Sequence, residues 1–344
     1  MAIIDKPSDH FNTVLYTGTG ASLANTGVGF QPDFTWIKGR SGATEHVLTD
    51  SVRGVTIELS SNDTGADETV AQGLTAFGSG GFTVGTDGSY NTSSATYASW
   101  NWKAGGTAVS NTAGSITSSV SANTTSGFSI VSFTGTGSTA TVGHGLGVTP
   151  KMFIVKNRSI TETWRPYHVA LGGGQALALN GTNATDTDAS YWSNTNPTSS
   201  VFTVGTNTGT NGSGNSMIAY CFADTSMIKC GSYTGNGSTD GTFIYTGFKP
   251  AFIMFKDTGY ASNWCMFDNK RAGYNSQTDI LYPNTNSVED TSNPVFADIL
   301  SNGFKWRFTN ADFNASGNNY IYMAFAEQPF VTSTANGSIP ATAR

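Results

Sequence analysis

Hydrophobic and polar positions alternate with a period of two in three stretches of the chain, residues 97–103, 217–223 and 320–326. One face carries Ala98, Trp100 and Trp102 in the first stretch, Ile218, Tyr220 and Phe222 in the second, and Ile321, Met323 and Phe325 in the third. A period of two with one apolar face is the signature of a strand with one buried side. The opposite face is more mixed, with Tyr97, Ser99 and Asn101 in the first copy. Upstream of each lies a second strand pattern, apolar on both faces: residues 33–37, 151–155 and 251–255. Such a strand is expected inside a sandwich, covered on both sides. A proline opens each one (Pro32, Pro150, Pro250), where a missing N–H does least harm. A lysine closes each one: Lys38, Lys156 and Lys256.

These features recur in one order, together with an aromatic residue and a glycine turn at 16–20, 133–137 and 233–237. Residues 59–82 align without gaps to 179–202 and to 281–304. The pattern predicts an all-β chain of three tandem repeats, each a β-sandwich (jelly-roll or lectin-like) unit of roughly 100 residues. The expected boundaries are 1–106 for the first repeat, 107–225 for a linker plus the second, 226–330 for the third, and 331–344 for a polar C-terminal tail. Pro32, Lys38, Pro150, Lys156, Pro250, Lys256, Trp102, Phe222 and Phe325 are the structural residues of the repeat. No stretch gives a convincing helix; residues 70–77, interrupted by Gly73, read as a loop or a short helical turn. Residues 105–126, rich in Ser, Thr, Gly and Ala, read as a linker or an exposed hairpin.

Composition narrows the class. Charged residues are 12% of the 344, about half the share of an ordinary globular domain. With 12% aromatics, the chain still has the means to build a core. A net charge of −6 without any basic block argues against a nucleic-acid partner, and the apolar runs are too short to span a bilayer. The N-terminus lacks the pattern of a secretory leader, so synthesis in a cytoplasm without export by that route is expected. Cys221, Cys230 and Cys265 read as buried free thiols.

The segments 9–20, 28–38, 50–54, 247–256, 266–274, 320–330 and 340–344 resemble a family of structural and tail-fibre-like virion proteins of marine bacteriophages, of the pelagiphage and cyanophage type. The likeness covers essentially the whole chain. It implies a viral structural protein located on the virion, with other virion proteins as partners, and it carries over no catalytic residue.

Candidate chemistry was weighed against plainer roles. The Gly-x-Gly pairs lack the helix that a phosphate loop needs and read as tight turns. Recurrent acids (Asp67/Glu68, Asp188, Glu289/Asp290) invite comparison with glycosidase carboxylates, but recurrence favours a structural role, as partners of Lys38, Lys156 and Lys256. Asp50 with Arg53, and Asp268 with Arg271, form an Asp-x-x-Arg pattern that suits a local ion pair or a ligand contact. Trp164 and Trp264 are candidates for a ligand face, with burial the plainer alternative. The four histidines have no metal-ligand spacing, and no cofactor or metal is expected. The leading expectation is a non-enzymatic tail-fibre or tail-tip adhesin engaging a host surface glycan or protein, self-associating as a homotrimer. The alternatives are a capsid decoration or head-fibre protein and, more weakly, a glycan depolymerase.

Overall fold

The computed structural model describes residues 3–272, 275–292 and 295–330. The chain is all-β and its sheets are antiparallel. Helix is confined to single turns at Pro7–Asp9, Gly88–Asn91, Ala189–Trp192 and Thr208–Asn211. The C-terminal tail expected over 331–344 lies outside the described residues.

Three large sheets share one strand order. In the first segment Phe11–Thr17 pairs with Thr96–Trp102, which pairs with Phe34–Gly39, which pairs with Val47–Asp50. In the second the same order runs Phe128–Thr134, Ser216–Phe222, Met152–Asn157, Arg165–His168. In the third it runs Ile228–Thr234, Asn319–Pro329, Phe248–Asp257, Cys265–Asp268. The strand that ends each segment thus sits between the two that began it. It is flanked on both edges and buried on both faces, which corrects the single buried side expected from its alternation.

The inward faces of the three sheets belong to one core. Trp102, Phe222 and Phe325 converge at its centre, with ring centroids 5.6 Å apart for Trp102–Phe325 and 5.8 Å for Phe222–Phe325. Phe34 stacks on Tyr220 at 4.3 Å and Phe11 on Phe325 at 4.8 Å, so rings from different segments fill the space. A residual apolar void of about 10 Å³ remains there, no larger than one water and without the polar partners a water needs. The interior is packed, not a channel.

The outward faces are covered by smaller sheets: Leu23–Asn25, Gly81–Val84 and Leu74–Gly78 in the first segment, Ala140–Gly143 and Val201–Val204 in the second, and Phe243–Tyr245, Gly303–Trp306 and Ala297–Leu300 in the third. In the first segment Ile37, Val47 and Tyr97 pack on Leu74, Phe82 and Val84. The mixed face of the closing strand is therefore buried too. Its polar groups are satisfied locally: Ser99 Oγ donates to Val14 O and Asn101 Nδ2 to Asn12 O, at 3.2 and 3.1 Å, as buried polar groups require.

Two local expectations are corrected, at 70–77 and at Pro250, and a third, at 105–126, is met in its hairpin form. Part of residues 70–77 is neither loop nor helical turn: Leu74–Gly78 is a strand hairpinned to Gly81–Val84. Gly73 and Gly78 read as breakers, but Gly78 belongs to the strand; across the hairpin a Cβ on Gly81 would stand 1.9 Å from Asn25 O, so only glycine fits that pairing. Residues 105–126 contain a hairpin, Val109–Asn111 with Ser118–Asn123, that extends the second large sheet. Pro250 does not open its strand, which starts at Phe248; the register shifts at the proline, the bulge position at which a strand tolerates it.

Candidate functional site

The glycine turns are structural clamps. In each, a buried asparagine reaches across the turn. Asn91 Oδ1 accepts from Thr19 N and its Nδ2 donates to Ala21 O and Gly85 O. Asn211 does the same with Thr136 N, Ser138 O and Gly205 O. Asn314 does so with Asn236 N, Ser238 O and Phe308 O. Gly20, Gly137 and Gly237 have φ of 71°, 70° and 64°, a region costly for other residues. The turn's inward N–H groups go to asparagine rather than to a phosphate. These asparagines were missed in the sequence; an asparagine nine or ten positions beyond each aligned block was the available signal.

The recurrent lysines are buried and bond to oxygens that are not carboxylates. Lys38 Nζ donates to Gly39 O (2.8 Å), Lys156 Nζ to Glu162 O (2.8 Å) and Thr64 O (3.0 Å), and Lys256 Nζ to Asp257 O (2.7 Å) and Ser262 Oγ (3.0 Å). Burial pushes each ammonium down to about 8. The acids expected as their partners serve other groups. Asp67 sits between Arg53 (3.3 Å) and Arg158 of the second segment (2.7 Å). Glu289 sits between Arg271 (2.8 Å) and Arg40 of the first segment (2.7 Å). Asp188 accepts from Ser190 N and so caps a helical turn.

Asp50/Arg53 and Asp268/Arg271 are fully buried ion pairs, with N–O distances of 2.5 and 2.6 Å. Each also fastens one segment to the next. Tyr220 Oη of the second segment donates to Asp50 Oδ2 at 2.7 Å, and Trp100 Nε1 of the first donates to Asp268 Oδ2 at 3.1 Å. Burial works against both charges in the second pair, yet Arg271 holds the Asp268 carboxyl below its usual range. At the remaining junction the same positions hold His168, Leu171 and Met323. Methionine offers no donor, no ion pair stands there, and His168 Nε2 lies 3.3 Å from Tyr322 O. The Asp-x-x-Arg pattern thus occurs in the two copies whose neighbour presents a donor.

Trp164 and Trp264, candidates for a ligand face, are corrected to buried staples. They are 0% and 1% exposed, and their Nε1 groups donate across segments to Ser60 O and Ala178 O, both at 2.8 Å. An indole serves either role, and its sequence position does not say which.

Glu58 is the clearest titrating group. Burial raises its carboxyl to about 7, and Tyr90 Oη donates to it at 2.7 Å. A folded-state pKa raised above the unfolded value costs stability as pH rises from about 4.5 to 7, because the unfolded chain ionises first. Glu58→Gln keeps an acceptor for Tyr90 and removes the titration. Relative to wild type, the variant should gain about 2–3 kcal/mol between pH 4 and pH 8, read from urea midpoints at the two pH values; equal midpoint differences at both would refute it.

Two surface features remain after these structural assignments. On the outer face of the third small sheet, Phe243 and Tyr245 are 43% and 59% exposed; the registers place Ala24 and Thr141 where Phe243 stands. In the second segment a groove of about 450 Å³ is lined by Thr163, Arg165, Leu177, Ala178, Asn183, Ala184, Thr185 and Asp186. Among the described residues no group of three or more His, Cys, Asp or Glu side chains could hold a metal ion, and no helix is long and apolar enough to cross a membrane. The three cysteines are free and buried.

The architecture defines an all-β protein whose ionisable groups mostly bind its own sheets together. The chain belongs to the family described as Domain of unknown function (DUF7483), which matches residues 6–329. No curated protein matches it.

Proposed function

We propose that the chain is three copies of one β-sandwich unit closed into a ring, serving as a non-enzymatic surface protein of a bacteriophage virion, of the tail-fibre or tail-tip adhesin type. The observation that carries this reading is the contrast between interior and surface. Inside, equivalent residues of the three segments meet and their charges are spent on one another. Outside, the segments differ, and the differences take the form of exposed rings and an open groove. A fixed scaffold with variable outer positions suits recognition, and the sequence resemblance supplies the virion setting. Because the inner faces bury each other, association into a homotrimer would use outer surfaces.

The test is to locate the chain on the particle and to measure its grip on host cells. Antibody-labelled virions should show it at the tail, and the purified chain should hold host bacteria and block infection. Labelling of every capsomer without cell binding would replace this reading with capsid decoration. Release of sugar from host envelopes would replace it with a depolymerase.

A further inference from the structure

The groove in the second segment has an internal control, because the chain builds the same region three times. The position of Ala178 is held by Glu58 in the first segment and Ile280 in the third. Glu58 points its carboxyl to Tyr90 and Ile280 is 1% exposed, so each fills the space with its own side chain. Alanine leaves it open, and the resulting volume of about 450 Å³ falls in the range of small-ligand sites.

The wall of this groove holds an arginine without a carboxylate in ion-pair contact. Arg40, Arg53, Arg158, Arg271 and Arg307 each have a carboxylate within 4.0 Å. Arg165 alone among the described arginines has none. Its guanidinium lies 4.5 Å from the centroid of the Tyr191 ring, and its Nε is shielded from water without a partner. Tyr191 Oη in turn donates to Asp186 Oδ2 at 2.7 Å, which fixes that carboxylate on the same wall. The groove therefore presents a cationic donor and an anionic acceptor that do not pair with each other. The Asp188 carboxylate also acts on Arg165, so the surroundings of the guanidinium do not favour an anionic ligand. A ligand that donates and accepts at once, without charge, fits both. Thr163 and Asn183 add further polar groups, and the Ala178 methyl supplies an apolar spot for a C–H face.

We infer that this groove binds an uncharged saccharide, with hydroxyls accepting from Arg165 and donating to Asp186. The inference rests on the attachment reading above and names the place where attachment occurs.

The experiment uses the full chain against an array of neutral hexose, N-acetylhexosamine and hexuronate oligosaccharides, with affinities of the responders measured by calorimetry. Arg165→Met keeps the stem over Tyr191 and removes the donors. Ala178→Ile installs the residue the third segment carries. A Phe243→Ala/Tyr245→Ala variant serves as the control. Neutral oligosaccharides should bind wild type and the control alike, and each groove variant should lose about tenfold or more in affinity with an unchanged unfolding midpoint. Should Ala178→Ile fail to fold, Arg165→Met decides. Preference for hexuronates overturns the charge argument. Binding that survives both groove variants and falls in the control moves the site to the third small sheet, with attachment intact. Wild type that holds host cells but no saccharide removes the groove and keeps attachment; wild type that holds neither removes both.

Discussion

Asp50→Ala should cost about 3–5 kcal/mol, the penalty for leaving a buried charge without its partner. Asp50 accepts from Val52 N, Arg53 N, Arg53 Nε and Tyr220 Oη. Its removal strands the guanidinium of Arg53, whose remaining carboxylate, Asp67, is 3.3 Å away. It also strands a tyrosine hydroxyl of another segment. The chain contains the remedy. Where the second segment meets the third, the same three positions hold His168, Leu171 and Met323. The triple replacement Asp50→His, Arg53→Leu, Tyr220→Met should therefore recover at least about half of the loss, because an apolar replacement of a buried ion pair is often near neutral. Denaturant midpoints at constant m-value check both statements. A triple variant less stable than Asp50→Ala would show that the two kinds of junction are not interchangeable.

The second large effect is expected at the centre. Trp102→Ala should cost about 3–5 kcal/mol, since it opens a cavity among rings from all three segments. Trp102→Phe should cost only about 1–2 kcal/mol. Phenylalanine is what the other two copies place there, as Phe222 and Phe325, and the indole Nε1 of Trp102 is buried without an acceptor. Removing that unmet donor offsets part of the lost contact. Thermal unfolding of the two variants measures the difference; equal losses would mean that the indole itself, and not ring packing, holds the centre.

Much of the scaffold was legible because one strand order, with its hydrophobic pattern, recurs in three sheets. The inward face at 98, 100 and 102 needs only a period of two. The double burial of the strands after Pro32, Pro150 and Pro250 needs only that both of their faces are largely apolar. The hairpin of Leu74–Gly78 was hidden because its glycines read as breakers, whereas Gly81 is there to let Asn25 O approach. The site was less legible for a physical reason. Which acid meets which arginine depends on how segments are placed in space, and Asp67 lies 91 positions from Arg158. The Arg165 groove could be noticed only by comparing Ala178 with Glu58 and Ile280 once the surrounding wall was known.

The way the last strand completes the core has a consequence for biosynthesis. Asn319–Pro329 supplies Phe325, which touches Phe11, Trp102, Phe222 and Phe252. A nascent chain therefore carries two segments with aromatic faces open to water until residues 319–329 have left the ribosome. Truncation before residue 319 would yield an aggregating substrate for chaperones and proteases rather than a smaller working protein. Premature stop codons ahead of residue 319 should consequently act as nulls.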